Sequence, residues 1–232
     1  MTIADRYRDI TDLPATLPVF PLAGALLLPR AVLPLNIFEP RYLTMVDDAL
    51  ARHRLIGMIQ PGTDATQAGA GSAPPASDTD KPPLYQTGCA GRLTSYTETD
   101  DGRVLITLTG VCRFHVTAEL EATTPYRQCA VSYEPFADDL KPGHGADDVD
   151  RVRLLEILKA YLETNNLQAD WTAIENSSNE ALVNSLSMIS PYGPAEKQAL
   201  LEAKTLEERN QMLIALTEIA LANQTDTEPT VQ

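Results

Sequence analysis

From Val104 to Val116, apolar or small residues fall on every second position: Val104, Ile106, Leu108, Gly110, Cys112, Phe114 and Val116. No other feature restricts the fold as tightly. A helix, with about 3.6 residues per turn, would scatter these side chains around its surface, whereas a strand places all of them on one face. The other face carries Thr107, Thr109, Arg113 and His115, with Leu105 and Val111 blurring it. The pattern predicts a long, half-buried antiparallel strand, bent at Gly110. Asp100-Asp101-Gly102 is a turn sequence between this run and the strand-like run before it. A further strand is expected from about Arg127 to Tyr133.

Nearer the N-terminus, LPVFPLAGALLLPRAVLPLNIFEP is apolar and broken by Pro18, Pro21, Pro29, Pro34 and Pro40. Prolines at this density argue against central strands and mid-helix positions, and suit short, kinked or edge strands of an irregular barrel. The period then changes. Pro40 suits a first helical turn, and Leu43, Val46 and Leu50 follow at helical spacing, with Tyr42, Met45 and Ala49 beside them. This helix should end near Arg52 to Arg54, where basic side chains complement its C-terminal dipole. Leu55 to Ile59 reads as a buried strand.

Residues 60–83 are small, polar and rich in Gly and Pro. They bury too little apolar surface to offset their ordering entropy, so a flexible loop is expected there. Residues 137–148 (ADDLKPGHGADD) form the best linker, and beyond them the pattern is helical. Asp147 or Asp148 is expected to cap a helix with Val152, Leu155, Leu158 and Leu162 on one stripe. Ser177 to Glu180 has capping-box form before Leu182, Leu186 and Ile189. Pro194 opens a short helix ending near Ala203, and Thr205 to Glu208 is a second box opening the last helix. Strands first and helices second is an α+β pattern. The expected domains are a β-rich barrel over 10–136, a helical bundle over 147–223 and a disordered tail over 224–232.

A formal net charge of -14 speaks against nucleic acid and anionic membranes as partners, since affinity for both comes from Lys and Arg. Cys89, Cys112 and Cys129 lie far apart, a poor framework for disulfides or zinc. The first residues do not read as a secretory signal, and Leu22 to Leu28 is too short to span a bilayer. A reducing, cytoplasmic setting fits best.

The stretch LPVFPLAGALLLPRAVLPLNIFEPRYLTMVDDAL, from Leu17 to Leu50, resembles the N-terminal, substrate-binding domain of Lon proteases. Further resemblance lies in YQTGCAGRL (Tyr85 to Leu93), in Asp101-Gly102 and in Gly110 to Phe114. A looser likeness covers Lys197 to Glu202 and Leu206 to Arg209. The resemblance spans roughly residues 15–222 and implies a PUA-like β pseudo-barrel with one or more short helices, followed by a small helical bundle. It also implies a role in engaging unfolded or degron-bearing polypeptides in protein quality control. A Lon protease would continue into an ATPase and a serine-lysine peptidase, so this sequence is expected to act as a stand-alone, non-catalytic module.

Motifs for ATP hydrolysis and peptide cleavage are missing from the sequence. No Gly precedes Lys, so a Walker A loop is absent. The one Asp-Gly, Asp101-Gly102, is followed by Arg103, unlike the Asp-Gly-Pro-Ser context of the Lon nucleophile. HExxH and GxSxG do not occur. No catalytic residue, cofactor site or metal site is assigned. His53, His115 and His144 fall on a helix end, a strand and a linker. Cys112 reads as an inert core thiol, and Trp171 as an anchor between helices.

Phe38, Glu39, Arg41 and Tyr42 are the candidate peptide-binding residues, an aromatic-plus-charge cluster at a barrel edge suited to an extended chain. Their structural reading is that Phe38 staples the helix start, Glu39 sits at its positive end and Arg41 pairs with a neighbouring carboxylate. The expected partners are unfolded polypeptides or peptides, with a protease or chaperone acting beside them. Binding would use apolar contacts and strand addition at a barrel edge. One alternative is an RNA-binding PUA-like module using Arg52, Arg54, Arg92 and Arg103; another is a regulator of one folded partner.

Overall fold

The computed structural model describes residues 6–62 and 81–225. It is α+β and divides into two compact units, Met1–Pro142 with Tyr192–Leu201, and Gly143–Pro191 with Glu202–Gln232. In the first unit the strands are β1 (Thr16–Pro21), β2 (Val32–Ile37), β3 (Leu55–Ile59), β4 (Thr87–Glu98), β5 (Val104–Leu120) and β6 (Arg127–Ser132). They form a sheet in the order β2-β5-β4-β3-β1-β6, and a further β5–β6 pairing closes it into a barrel with β2 outside the ring. At about 3.4 Å per residue, the 17 residues of β5 are long enough to serve several partners. Its first part pairs with β2 and β4, and its last part with β6.

β5 keeps the alternation from Val104 to Leu108, then departs from it. Ala90 faces Cys112 while Gly91 faces Gly110, so Val111 is an extra residue on β5. The bulge turns both Val111 and Cys112 into the core beside Phe114, Leu17 and Leu55. Two glycines make room for the Phe114 ring: a Cβ on Gly88 would lie 2.4 Å from Cζ, and one on Gly57 would lie 3.0 Å from it.

β1 is short, as its prolines suggest, but departs from the expectation that they keep it out of the middle of the sheet, because it pairs with β3 on one side and β6 on the other. Staggered ladders explain the exception. The Ala15 carbonyl accepts from Val131 N–H, so by alternation Leu17 and Val19 face β6 while Pro18 faces β3, whose pairing begins only at Val19. Pro21 faces β6, whose pairing ends at Val19. Each proline thus sits where the strand on its N–H side is missing. Pro34, in β2, does lie on an edge strand.

Arg113, expected on a polar face, is buried at 4% exposure. It is covered by a 3-10 segment, Glu134–Leu140, whose Asp139 accepts from Nε at 2.9 Å and Nη2 at 2.8 Å. Polar residues at the start of the expected linker therefore belong to the barrel unit. Between β2 and β3 lies α1 (Pro40–Ala51), which buries Tyr42, Met45, Val46 and Ala49.

The remaining helices are α2 (Arg151–Thr164), α3 (Trp171–Asn176), α4 (Asn179–Ile189), α5 (Pro194–Glu202) and α6 (Leu206–Thr225). α5 groups with the strands up to Leu201. Gln60 Nε2 donates to the Pro194 carbonyl at 2.9 Å and to Gln198 Oε1 at 3.2 Å, and Gln198 Nε2 donates to the Thr87 carbonyl.

Within the second unit two caps lie close to, but not at, the expected residues. Asp150, not Asp147 or Asp148, caps α2 by accepting from Arg153 N–H, because 146–148 form a 3-10 turn of their own. Ser178, not Ser177, caps α4, while the Ser177 hydroxyl donates back to the Ile174 carbonyl of α3. Thr205 accepts from Glu208 N–H as expected. α2 buries Leu154 and Ile157 and leaves Val152 exposed, and Ile189 of α4 is also exposed. Arg151 clamps the α3–α4 corner through the Ser177 and Ile174 carbonyls and the Asn179 side chain. Most of the loop expected over 60–83 lies outside the described residues; its base is closed by the Pro61–Leu84 bridge and by Gly62 N–H on the Pro83 carbonyl. Residues 226–232 of the expected tail also lie outside them. Among the described residues no helix is long and apolar enough to cross a membrane.

Candidate functional site

α1 carries the candidate residues into position. Its Pro40 at the first turn needs no N–H partner. Glu39 holds the N-cap position with extended backbone and no side-chain cap. Its carboxylate instead takes Arg41, with Nη2 at 2.7 Å and Nε at 2.9 Å. The Arg41 guanidinium also lies 4.6 Å from the centroid of the Tyr42 ring. Tyr42 is buried, with its centroid 4.2 Å from that of Phe20. Phe38 does not staple the helix: it is 62% exposed, because Ile37 takes the inward position at the end of β2.

Arg41 and Tyr42 line one wall of a cleft of about 670 Å³; Phe38 and Glu39 do not line it. The other walls come from Pro21, from the β5–β6 turn with Glu119, Tyr126 and Arg127, and from Pro61 and Pro82. Arg127 organises the far wall. It donates to Glu119 through Nε at 2.8 Å and Nη2 at 2.6 Å, and to the Pro82 carbonyl through Nη1 at 2.7 Å. These hydrogen bonds hold the Glu119 carboxyl below its usual 4.5. A folded-state value below the unfolded one means that the bridge contributes fully above about pH 4.5 and is lost as pH falls through the folded value. An NMR titration should show Glu119 ionising below 4.5 and returning to the ordinary range in Arg127→Gln; an unchanged value in that variant would remove Arg127 as the cause.

Tyr126 is shared with a second cleft of about 330 Å³, lined also by Pro14, Pro18, Asp48, Arg52 and His53. The Tyr126 hydroxyl donates to Asp48 Oδ2 at 2.6 Å; burial, then this carboxylate, push its pKa up to about 12. Arg52 and His53 are shared in turn with a third cleft of about 560 Å³, which adds Arg6, Tyr7, Arg54 and Arg92. Arg103 is not part of this cluster, since it pairs with Asp101 in the β4–β5 turn. The three clefts follow α1 from its first turn to its end. A helix of 12 residues is about 18 Å long, which matches roughly five residues of an extended chain.

Tyr126, Arg127 and Asp48 were not singled out from the sequence. The local signal at this corner is the run Thr123, Thr124 and Pro125 before β6, which marks a turn but not what it faces. β2, the edge strand, is a poor template for strand addition. Arg30 N–H donates to the Gly110 carbonyl and Gly110 N–H to the Ala31 carbonyl. By alternation Leu33 and Leu35 face β5, and Pro34 turns its donor-less nitrogen to the open side.

The arrangement supplies rings, prolines and charged forks for non-covalent contact. Cys89, Cys112 and Cys129 form no disulfide and are buried. Burial drives the Cys112 thiol far up and the Cys129 thiol up to about 11, so neither is a nucleophile near neutrality. His53 Nδ1 accepts from Leu55 N–H at 3.1 Å. Among the described residues no group of His, Cys, Asp and Glu is placed to hold a metal ion.

Comparison with known proteins places the chain. It is 26% identical to the Lon protease of Flavobacterium johnsoniae over 204 residues, covering 85% of this chain and 23% of that protein. It is 28% identical to the Lon protease of Parabacteroides distasonis over 227 residues, covering 92% and 25%. It thus spans about a quarter of the length of these curated relatives. The crystal structure of a Lon N-terminal domain protein from Xanthomonas campestris superposes with a TM-score of 0.56 at 21% identity, covering 87% of this chain and 98% of that one. The N-terminal domain of a Mycobacterium avium complex Lon protease gives 0.62 at 17% identity, covering 88% and 98%. These two likenesses establish the fold. The family model described as the ATP-dependent protease La (LON) substrate-binding domain matches residues 16–218, and the chain belongs to that family.

Proposed function

We propose that this chain is a non-catalytic polypeptide-binding module that engages unfolded or degron-bearing proteins in cytoplasmic protein quality control, beside a protease or chaperone. The observation that carries this reading is the succession of clefts along α1, lined by Tyr42, Tyr126, several prolines and long charged side chains. Such a surface suits a segment presented in extended form, because it offers apolar contact to side chains and donors to a main chain. The Pro34 interruption of β2 favours side-chain capture along α1 over strand addition at that edge. Membership in a substrate-binding family supports the same reading, and three buried cysteines outside any disulfide suit a reducing compartment.

The test is fluorescence anisotropy with a labelled, permanently unfolded polypeptide beside its folded form. Binding of the unfolded form at tens of micromolar or tighter is expected, with weak binding of the folded form. Arg127→Ala combined with Tyr126→Ala should weaken it by about tenfold, as for loss of an interfacial anchor pair. Absence of binding to either form would remove this function and direct attention to a single folded partner.

A further inference from the structure

We propose that the cleft at the C-terminal end of α1 is a receptor for the carboxylates of an acidic segment within a bound polypeptide, gripped by Arg52, Arg54 and Arg92. The proposal deepens the preceding reading and rests on it. Four arginines, Arg6, Arg52, Arg54 and Arg92, line this cleft with His53 against one carboxylate, Asp12. In a chain with a formal net charge of -14, acidic neighbours would be expected around exposed cations. Asp12 is already engaged, its Oδ2 accepting from Arg8 N–H and Asp9 N–H. Arg92 Nη1 is held by the Tyr7 hydroxyl at 2.9 Å and the His53 carbonyl at 3.3 Å. That hold positions the guanidinium without neutralising it.

Complementing the carbonyl end of α1 would account for cations at Arg52 and Arg54. It does not account for Arg6, from the N-terminal segment, or Arg92, from β4. The backbone at Arg54 points the same way. Its φ is +61°, a left-handed conformation that glycine adopts freely after a helix and an L side chain adopts only at a cost. An arginine at a position better suited to glycine is consistent with a use for its side chain. His53 adds a donor without adding charge: Nδ1 accepts from Leu55 N–H, leaving the proton on Nε2, and burial followed by the Arg52 charge lowers its pKa.

A carboxylate on a polypeptide fits better than a nucleic-acid phosphate. The Tyr7 ring is buried, so it presents no open face for a base to stack on. The acidic chain also repels a continuous polyanion. Arg52 and His53 are shared with the neighbouring cleft of the α1 groove, so a chain lying there would bring an acidic residue to these forks.

The experiment uses the full chain and three labelled probes: an unfolded polypeptide bearing a cluster of Glu, the same polypeptide with each Glu changed to Gln, and a single-stranded RNA oligonucleotide. The Glu form should bind about tenfold tighter at low salt, the size of one charge-assisted contact, and the difference should shrink as salt rises. Arg52→Gln with Arg54→Gly should abolish the preference, so that this variant binds the Glu and Gln forms equally. Arg54→Gly alone should not lower the thermal midpoint, since it relieves the left-handed residue, and this separates lost recognition from lost folding. Equal binding of the Glu and Gln forms overturns the carboxylate receptor and leaves the groove standing. Absence of binding to both overturns the groove as well. RNA bound more tightly than the Glu form, and released by the double variant, would overturn the assignment to polypeptide.

Discussion

Replacing Arg113 by methionine is expected to remove about 3–5 kcal/mol of stability, the cost of breaking one side of a buried ion pair. This one side chain joins β5, the 3-10 segment and α5. From β5 the guanidinium reaches both oxygens of Asp139 and donates to the Leu201 carbonyl of α5 at 2.9 Å, while its Cζ lies 4.5 Å from the Phe136 centroid. Asp139 is itself committed, since Oδ2 also accepts from Arg113 N–H at 2.9 Å. Methionine fills much of the volume but leaves the carboxylate buried without its cation. Small domains have only about 5–15 kcal/mol in total, so the urea midpoint should fall steeply. Pairing Arg113→Met with Asp139→Leu should cost less than the sum of the single changes, with a coupling of about 2 kcal/mol. Additive behaviour, or a loss below about 1 kcal/mol for Arg113→Met, would mean that the pair does not hold the 3-10 segment and α5 to the barrel.

Gly110→Ala is expected to be nearly as damaging, at about 3 kcal/mol, the upper end for overpacking a core. An added Cβ would lie 2.0 Å from the Leu28 carbonyl oxygen and 2.7 Å from its carbon. Those are backbone atoms. They have little freedom to retreat, because Arg30 N–H donates to the Gly110 carbonyl and Gly110 N–H donates to the Ala31 carbonyl. Space, not φ, makes glycine necessary here. Gly24→Ala is the useful contrast: its φ is +73° but nothing lies within 4 Å of the new Cβ, so about 1 kcal/mol is expected. Denaturant unfolding of the two variants separates the cases, and equal losses would contradict the close approach at Gly110.

Much of this architecture was legible because it rests on local periodicity. The alternation along the first part of β5, the Pro40 start of α1 and the Thr205 cap need only near neighbours, and each appears where the residues imply. The bulge at Val111 was half legible: the sequence marked Gly110 and a blurred face, but the extra residue is defined by register against β4. Arg113 was misplaced on a polar surface because its cover comes from Asp139 and Leu201, far along the chain. The prolines of β1 misled for a related reason, since whether a missing N–H matters depends on where the neighbouring strands begin and end. Of the candidate site, Arg41 and Tyr42 line the groove, whereas its opposite wall, Tyr126 and Arg127, is joined to α1 by contacts such as Tyr126 to Asp48 that no spacing rule anticipates.

The grouping of Tyr192–Leu201 with the strands has a consequence for how the chain is made. A ribosome delivers β6 early, and the ring of strands can then close, yet Gln60 and Arg113 must wait for Pro194, Gln198 and Leu201 to emerge. Until then Gln60 Nε2 and Arg113 Nη1 sit in a nearly finished interior without their downstream acceptors, even though Asp139 already holds the rest of the guanidinium, and unmet buried donors carry a high cost. Maturation of the first unit is therefore gated by translation of a segment about fifty residues downstream of Pro142, at roughly 5–20 residues per second. Between those moments the nascent protein should be unusually sensitive to proteases and most dependent on chaperones.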